Sequence, residues 1–164
     1  IPHRTKFFPD MPRFAEHYGA LFPTADYSNE RIELSDFDTA LLSALDTDSH
    51  RTALEVMESE ALLEDYAFFD DLVFPARLRE WALCDEEEPY VESRPAADRA
   101  DVLEMYEFRL TDRGAELVEE GCEPGRNLPM FQVGDSRLYA GKTPWVRVID
   151  GEHWYFERYE AESG

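Results

Sequence analysis

Catalysis near neutral pH needs side chains that exchange protons, attack as nucleophiles or hold a metal. The four histidines of this chain, His3, His17, His50 and His153, are scattered, and no two stand at His-x-x-x-His spacing. Glu152-His153 lies beside a turn signal and reads as a surface pair. Cys84 and Cys122 are far apart, with no Cys-x-x-Cys and no histidine at ligand spacing. They read as free, partly buried thiols. The 37 Asp and Glu residues are too many for adjacency to single out an acid/base pair, and no spacing favours a metal. No Gly-x-Ser-x-Gly elbow, phosphate-binding glycine loop or Gly-x-Gly-x-x-Gly is present. The expectation is therefore a non-enzyme, with no catalytic residue, metal or cofactor.

Charge is the strongest bulk signal. Against those acids stand 16 Lys and Arg, giving a formal net charge of -21, and Lys6 and Lys142 are the only lysines. Salt adaptation of a whole proteome, steering toward a basic partner, and drift in an arginine-preferring genome all fit this balance. All three leave the chain poorly equipped to neutralise phosphates, the basis of non-specific DNA binding. A hydrophobic fraction of 43% with 13% aromatics is enough for a packed core. No apolar run reaches the ~20 residues that span a bilayer, and no basic stretch leads into an apolar one at the start. Cytoplasm is the expected location, with no membrane partner.

Residues 1–33 read as an irregular, aromatic- and Pro-rich segment holding one short helix in MPRFAEHYGALF, with Phe14, Tyr18 and Leu21 or Phe22 inward. Residues 34–121 read as a helix-rich module. Ser35 caps a helix in LSDFDTALLSALD, Asp38 makes a variant capping box, and Phe37, Leu41, Ala44 and Leu45 share a face. Residues 53–69 are helical with a break near Ser59 or Glu64. Asp70 or Asp71 caps LVFPARLREWALC, whose inner stripe is Phe74, Leu78, Trp81 and Ala82. PYVES and MYEFRL read as strands joined by RPAADRAD, and TDRGAELVEEG as a closing helix. Residues 128–160 change to strand periodicity. MFQV and RLYA flank GDS, and WVRVI and EHWYF flank Asp150-Gly151, which predicts Trp145 opposite Phe156 and Val146 opposite Tyr155. The fold class expected is α+β, with C-terminal antiparallel hairpins following the helical module.

The order helix, helices, helix, strand, loop, strand, helix, with RLREWAL at 77–83 and YEFRLTDRG at 106–114, resembles the winged helix-turn-helix superfamily. The likeness covers about residues 34–121. It implies that RLREWAL lies on the recognition helix, that the hairpin is the wing, and that Thr111 caps the last helix with Asp112 at its positive end. It also implies DNA contact by Arg77, Arg79, Arg94 and Arg99. The surrounding charge departs from that pattern. Residues 52–76 contain no Lys or Arg but seven acids: Glu55, Glu58, Glu60, Glu64, Asp65, Asp70 and Asp71.

Two functions follow. The first is an acidic protein-binding module, an immunity or inhibitor type that neutralises a basic partner such as a nucleic-acid-targeting toxin. Its expected partner-binding residues are Glu58, Glu60, Glu64, Asp65, Asp85, Glu86, Glu87 and Glu88. The second is a winged-helix transcriptional regulator from a salt-adapted organism, using the four arginines. A docking face would concentrate acids, whereas salt adaptation would spread them. A homodimer seam built on Trp145, Trp154 and Tyr159 is a further possibility.

Overall fold

The computed structural model describes residues 20–66, 70–97, 101–124, 128–129, 132–133, 136–137 and 145–159. The fold is α+β, with helices and mixed sheets. The chain divides into two compact units. One holds the described residues up to Asp36 with those from Glu120 onward, and the other is Phe37–Glu119.

The first unit is built on a four-stranded sheet in the order β2-β1-β8-β9. Strands β1 (Thr24–Asp26) and β2 (Arg31–Glu33) come from the segment expected to be irregular. The expected short helix falls mainly on residues outside the described ones. β1 lies parallel to β8 (Trp145–Asp150), which pairs antiparallel with β9 (His153–Arg158). Arg147 ties these strands together. Its amide donates to the Pro23 carbonyl at 2.7 Å, and its guanidinium reaches the Thr24 hydroxyl at 3.2 Å and Asp36 at 3.2 Å.

The β8–β9 register differs from the expected one. Arg147 faces Phe156 and Val148 faces Tyr155, a shift of two residues, with Asp150 paired to His153. The two-residue loop is therefore Gly151-Glu152, with glycine first at φ +62°. A II′-type hairpin wants glycine at that first position, which placing the turn on Asp150-Gly151 would not supply. An even shift preserves the faces, so Val146 stays fully buried.

Tyr159, expected to be exposed, is buried and stacked on Tyr27 with ring centroids 4.8 Å apart. Trp154 is half-buried, and the Trp145 side chain lies outside the description. Burial first, then the Glu157 carboxylate that accepts its hydroxyl at 2.6 Å, raises the Tyr27 pKa above the ordinary phenol value. Of the second expected hairpin, β6 (Gln132–Val133) and β7 (Ser136–Arg137) are described. Ser136 stands in the strand rather than the turn.

The second unit runs α1 (Asp36–Ser43), β3 (Arg51–Thr52), α2 (Ala53–Met57), α3 (Glu60–Asp65) and α4 (Val73–Leu83). β4 (Val91–Pro95), a 3-10 turn at Val102–Glu104, β5 (Tyr106–Leu110) and α5 (Asp112–Glu120) complete it. The break expected near Ser59 or Glu64 falls at Ser59. Thr52 and Glu55 form the capping box of α2, while Asp70 accepts the Leu72 amide at 2.9 Å ahead of α4. The three strands pair antiparallel in the order β3-β5-β4.

Thr111 caps α5 as expected, accepting the Gly114 amide at 3.0 Å while its hydroxyl donates to the Pro89 carbonyl at 2.8 Å. A Cβ on Gly114 would run into the Tyr90 carbonyl and come within 2.6 Å of Leu110. Only glycine lets α5 approach the start of β4 so closely.

Phe37, Leu41, Leu42, Val56, Leu78, Trp81 and Phe108 form the core of this unit. Phe37 meets Tyr66 edge-on at 5.0 Å and tilts against Phe74 at 5.8 Å. Within this core lies an ion pair. Arg77 is 3% exposed and donates to both oxygens of Asp38, from Nε at 2.8 Å and Nη2 at 2.6 Å. The Trp81 Nε1–H donates to the same carboxylate at 2.9 Å, and Arg77 Nη1 reaches Glu80 at 2.7 Å. Asp38, expected as a cap residue, therefore joins α1 to α4. Burial opposes the Arg77 charge, but Asp38 and then Glu80 outweigh it, so the guanidinium pKa lies above its ordinary value.

Removing one partner of a buried pair leaves the other charge uncompensated, at a cost of about 3–5 kcal/mol, whereas replacing both with apolar groups is often near neutral. Arg77→Met is therefore expected to lower unfolding free energy by about that amount, and Asp38→Leu with Arg77→Met to recover most of it. Urea titration of the two variants measures the difference.

Candidate functional site

Two surfaces of the Phe37–Glu119 unit carry the residues singled out from the sequence. The first is formed by α2 and α3. Glu58 at the end of α2 is exposed, as are Glu60, Glu64 and Asp65 on α3, and none makes an ion pair with a described residue. Leu62 is the one buried side chain of α3. Leu63 stands 55% exposed among the acids. An isolated six-residue helix is marginal, so α3 holds its shape through that single inward anchor and the turn before it.

The acids after α4 divide. Glu86 and Glu87 are exposed without a described partner. Asp85 is half-buried, paired with Arg113 at 3.0 Å, and accepts the Glu88 amide at 3.2 Å. Glu88 also lies within 3.7 Å of Arg113, and its carbonyl accepts from that guanidinium. Arg113 in turn stacks on the Tyr90 ring at 4.3 Å. The hydrogen bond from Arg113 and then the Glu88 amide hold the Asp85 pKa below the usual carboxylate range. Asp85, expected to face a partner, instead closes the loop between α4 and β4.

The second surface is an open cleft of about 480 Å³ between the C-terminal half of α4 and β4. His50, Arg79, Glu86, Glu92, Ser93 and Arg94 line it together with the apolar Ala82, Leu83, Pro89 and Val91. Arg79 is held from two sides. Its Nη1 donates to the Ser93 hydroxyl at 3.2 Å, and its guanidinium carbon lies 4.3 Å from the Tyr106 ring centre. It has no ion pair among the described residues. Arg94 is paired with Glu107 at 2.9 Å, and Arg109 donates to Glu92 at 3.0 Å. Burial, followed by the charges of Arg94 and Arg109, pushes the His50 pKa below its ordinary value, despite Glu107 and Glu92.

The four arginines that the resemblance implies at DNA thus scatter. Arg77 is corrected from a surface contact to a core residue, bound by Asp38. Arg94 is exposed but neutralised by Glu107, Arg79 lies in the cleft, and Arg99 lies outside the described residues. The outer face of α4 presents the exposed Leu72, Ala76, Glu80 and Leu83 around the half-buried Arg79.

Sequence reasoning missed His50 and Ser93, which line the cleft, and Tyr106, whose ring meets Arg79, because they come from separate parts of the chain. One signal was legible. Counting Arg77 with the inner stripe leaves Arg79, two residues on, pointing roughly the opposite way round a helix that turns about 100° per residue.

Among the described residues no group of three or more His, Cys, Asp or Glu is placed to hold a metal ion, and no helix is long and apolar enough to cross a membrane. No family model, curated protein or solved structure matches the chain.

Cys84 and Cys122 are both free thiols, the first half-buried and the second buried. Burial and then the neighbouring Asp85 push the Cys84 thiol up to about 11. The thiolate is the reactive form, so Cys84 should alkylate with iodoacetamide at pH 8 about 100-fold more slowly than an ordinary cysteine. Site-resolved mass spectrometry of the labelling time course reads this rate.

Proposed function

We propose that the Phe37–Glu119 unit is a winged-helix scaffold that binds protein instead of DNA, and that the chain is an immunity- or inhibitor-type protein neutralising a basic partner such as a nucleic-acid-targeting toxin. The sheet order β3-β5-β4, with β3 between α1 and the α2–α3–α4 run and β4 and β5 after it, supports the scaffold reading. The observation that carries the function is the charge on α2 and α3. Glu58, Glu60, Glu64 and Asp65 stand exposed without counter-ions among the described residues, around an exposed Leu63. Acids steer a basic partner in and set the register, while a desolvated leucine supplies contact energy.

A second reading, a DNA-binding regulator from a salt-adapted cell, is favoured by a different observation. Exposed acids also stand on α5 at Glu116, Glu119 and Glu120, and at the β8–β9 turn at Asp150 and Glu152. Salt adaptation spreads acids in this way. The outer face of α4 weighs against DNA. It offers an alanine, a glutamate and two leucines beside a single arginine, Arg79, which is held on Ser93 and Tyr106, where a reader needs several groups for phosphates and base edges.

Affinity capture from extracts of the native host separates the two readings. The wild-type chain is expected to retain a basic partner at ~0.1 M salt and release it near ~1 M. The triple variant Glu60→Gln, Glu64→Gln, Asp65→Asn should bind that partner at least ~10-fold more weakly. No basic partner, or one held equally by both proteins at every salt concentration, would contradict the proposal.

A further inference from the structure

β4 ends its sheet, since the strand order is β3-β5-β4. The Tyr90 carbonyl accepts the Thr111 amide at 3.1 Å, and the Ala96 amide donates to the Met105 carbonyl at 3.0 Å. In an antiparallel pair the alternate positions turn the other way, so Val91, Ser93 and Pro95 point their main-chain groups away from β5. Val91 is buried, which leaves the half-buried Ser93 and the exposed Pro95 as the accessible length of this edge. Their outward groups meet no partner among the described residues. Successive side chains of a strand point to opposite faces, yet Val91, Glu92, Ser93 and Arg94 all line the cleft. A cleft that meets both faces runs along the strand's edge.

The other wall of that cleft is α4, through Arg79, Ala82 and Leu83. Leu83 is 53% exposed and Leu72 is 55% exposed. With Ala76 and Arg79 they stand at positions 72, 76, 79 and 83, the alternating spacing of a helix–helix seam. Leu83 belongs to both features, so an unpaired strand edge and an apolar helix stripe border one opening. Each is a surface that a folded protein ordinarily covers or blunts.

We propose that a second copy of this chain covers both, with β4 pairing antiparallel to β4 of its mate across a twofold axis at Ser93. The register follows from charge. Outward positions must face outward positions, so Ser93 can stand opposite Val91, Ser93 or Pro95 of the mate. The first choice sets Glu92 against Glu92, and the last sets Arg94 against Arg94, like charges that destabilise a sheet. The middle choice sets Glu92 against Arg94 twice. It also extends two rows of alternating charge over four strands, because Glu92 already faces Arg109 and Arg94 already faces Glu107. The Ser93 N–H and C=O then exchange reciprocal hydrogen bonds with their copies. On the other face of the sheet the two α4 helices run antiparallel. Arg79, which reaches Ser93, stands near the middle of the stripe, so the axis brings Leu72 of one helix beside Leu83 of the other. This seam uses none of the acids assigned above to a basic partner, and either proposal can fail without the other.

Sedimentation equilibrium of the full chain tests for the dimer at ~0.5 M salt, which screens the repulsion between two copies of net charge -21. A reversible dimer with a dissociation constant of about 100 µM or tighter is expected. Leu83→Ser, at an exposed position, should weaken it at least ~10-fold. Cysteine pairing reads the register. Position 92 and position 94 of the mate would have Cα atoms about 4.5 Å apart, within disulfide reach. Position 92 and its own copy would lie about 7–8 Å apart, beyond it. An oxidised mixture of the Glu92→Cys and Arg94→Cys proteins should therefore yield the 92–94 disulfide, identified by mass spectrometry of the linked peptides. Neither protein alone should link to itself at that position. A monomer at ~500 µM overturns the proposal, as does a dimer that leaves the mixture unlinked or ignores Leu83→Ser. Linkage of Glu92→Cys to itself as readily as to Arg94→Cys overturns it as well.

Discussion

The buried contact of Arg77 with Asp38 and Trp81 sets the rotation of α4, and the surfaces of the second unit follow from it. A bidentate guanidinium–carboxylate pair is directional in a way that apolar contact is not. With Arg77 fixed inward beside Phe74, Leu78 and Trp81, the helix has no rotational choice left. Leu72, Ala76, Arg79, Glu80 and Leu83 then lie on the opposite side of the helix, from which the Arg79 side chain reaches across to Ser93 on β4. Such a pair adds little net stability over a well-packed apolar alternative, because desolvating two charges offsets most of their attraction. Its consequence is positional. It withdraws from the surface one of the four arginines that the resemblance implies at DNA, while Arg79 lies in a cleft.

Much of the second unit was legible in the sequence, because local chemistry dictated it. The Thr111 cap, the break at Ser59, the inner stripe of α4 and the two strands around residues 91–110 all follow from side-chain periodicity and capping. Long-range pairing was not legible. Nothing in LFPTADYSNERIE announces that β1 runs parallel to β8, more than a hundred residues later, since parallel pairing leaves no turn signal. Arg77 was misplaced for a related reason. A charged residue next to a hydrophobic stripe reads as surface unless its partner is known, and that partner lies 39 residues back in the chain. The β8–β9 register turned on which of two positions in the Asp150-Gly151-Glu152 corner takes the glycine.

The acidity has three components. Acids on α5 and at the β8–β9 turn form a general negative background, the kind that keeps a protein dispersed at high salt. Others have acquired local tasks: Glu55 in a capping box, Asp70 ahead of α4, Asp85 with Arg113. What remains is the group on α2 and α3, with no described counter-ion and the exposed Leu63 on the same short helix. That residue of charge, together with the inward turn of Arg77, separates the scaffold's architecture from the use proposed for it.

Fluorescence anisotropy of a labelled mixed-sequence duplex tests that separation most directly. A DNA-reading domain binds any duplex non-specifically, with dissociation constants of about 1–100 µM that weaken steeply with salt. With Arg77 buried and Arg94 neutralised, the protein is expected to leave anisotropy unchanged up to ~100 µM at ~50 mM salt. Saturable binding whose logarithm falls with log salt at a slope of about -3 or steeper would mean that several cations do reach phosphates, contradicting the account.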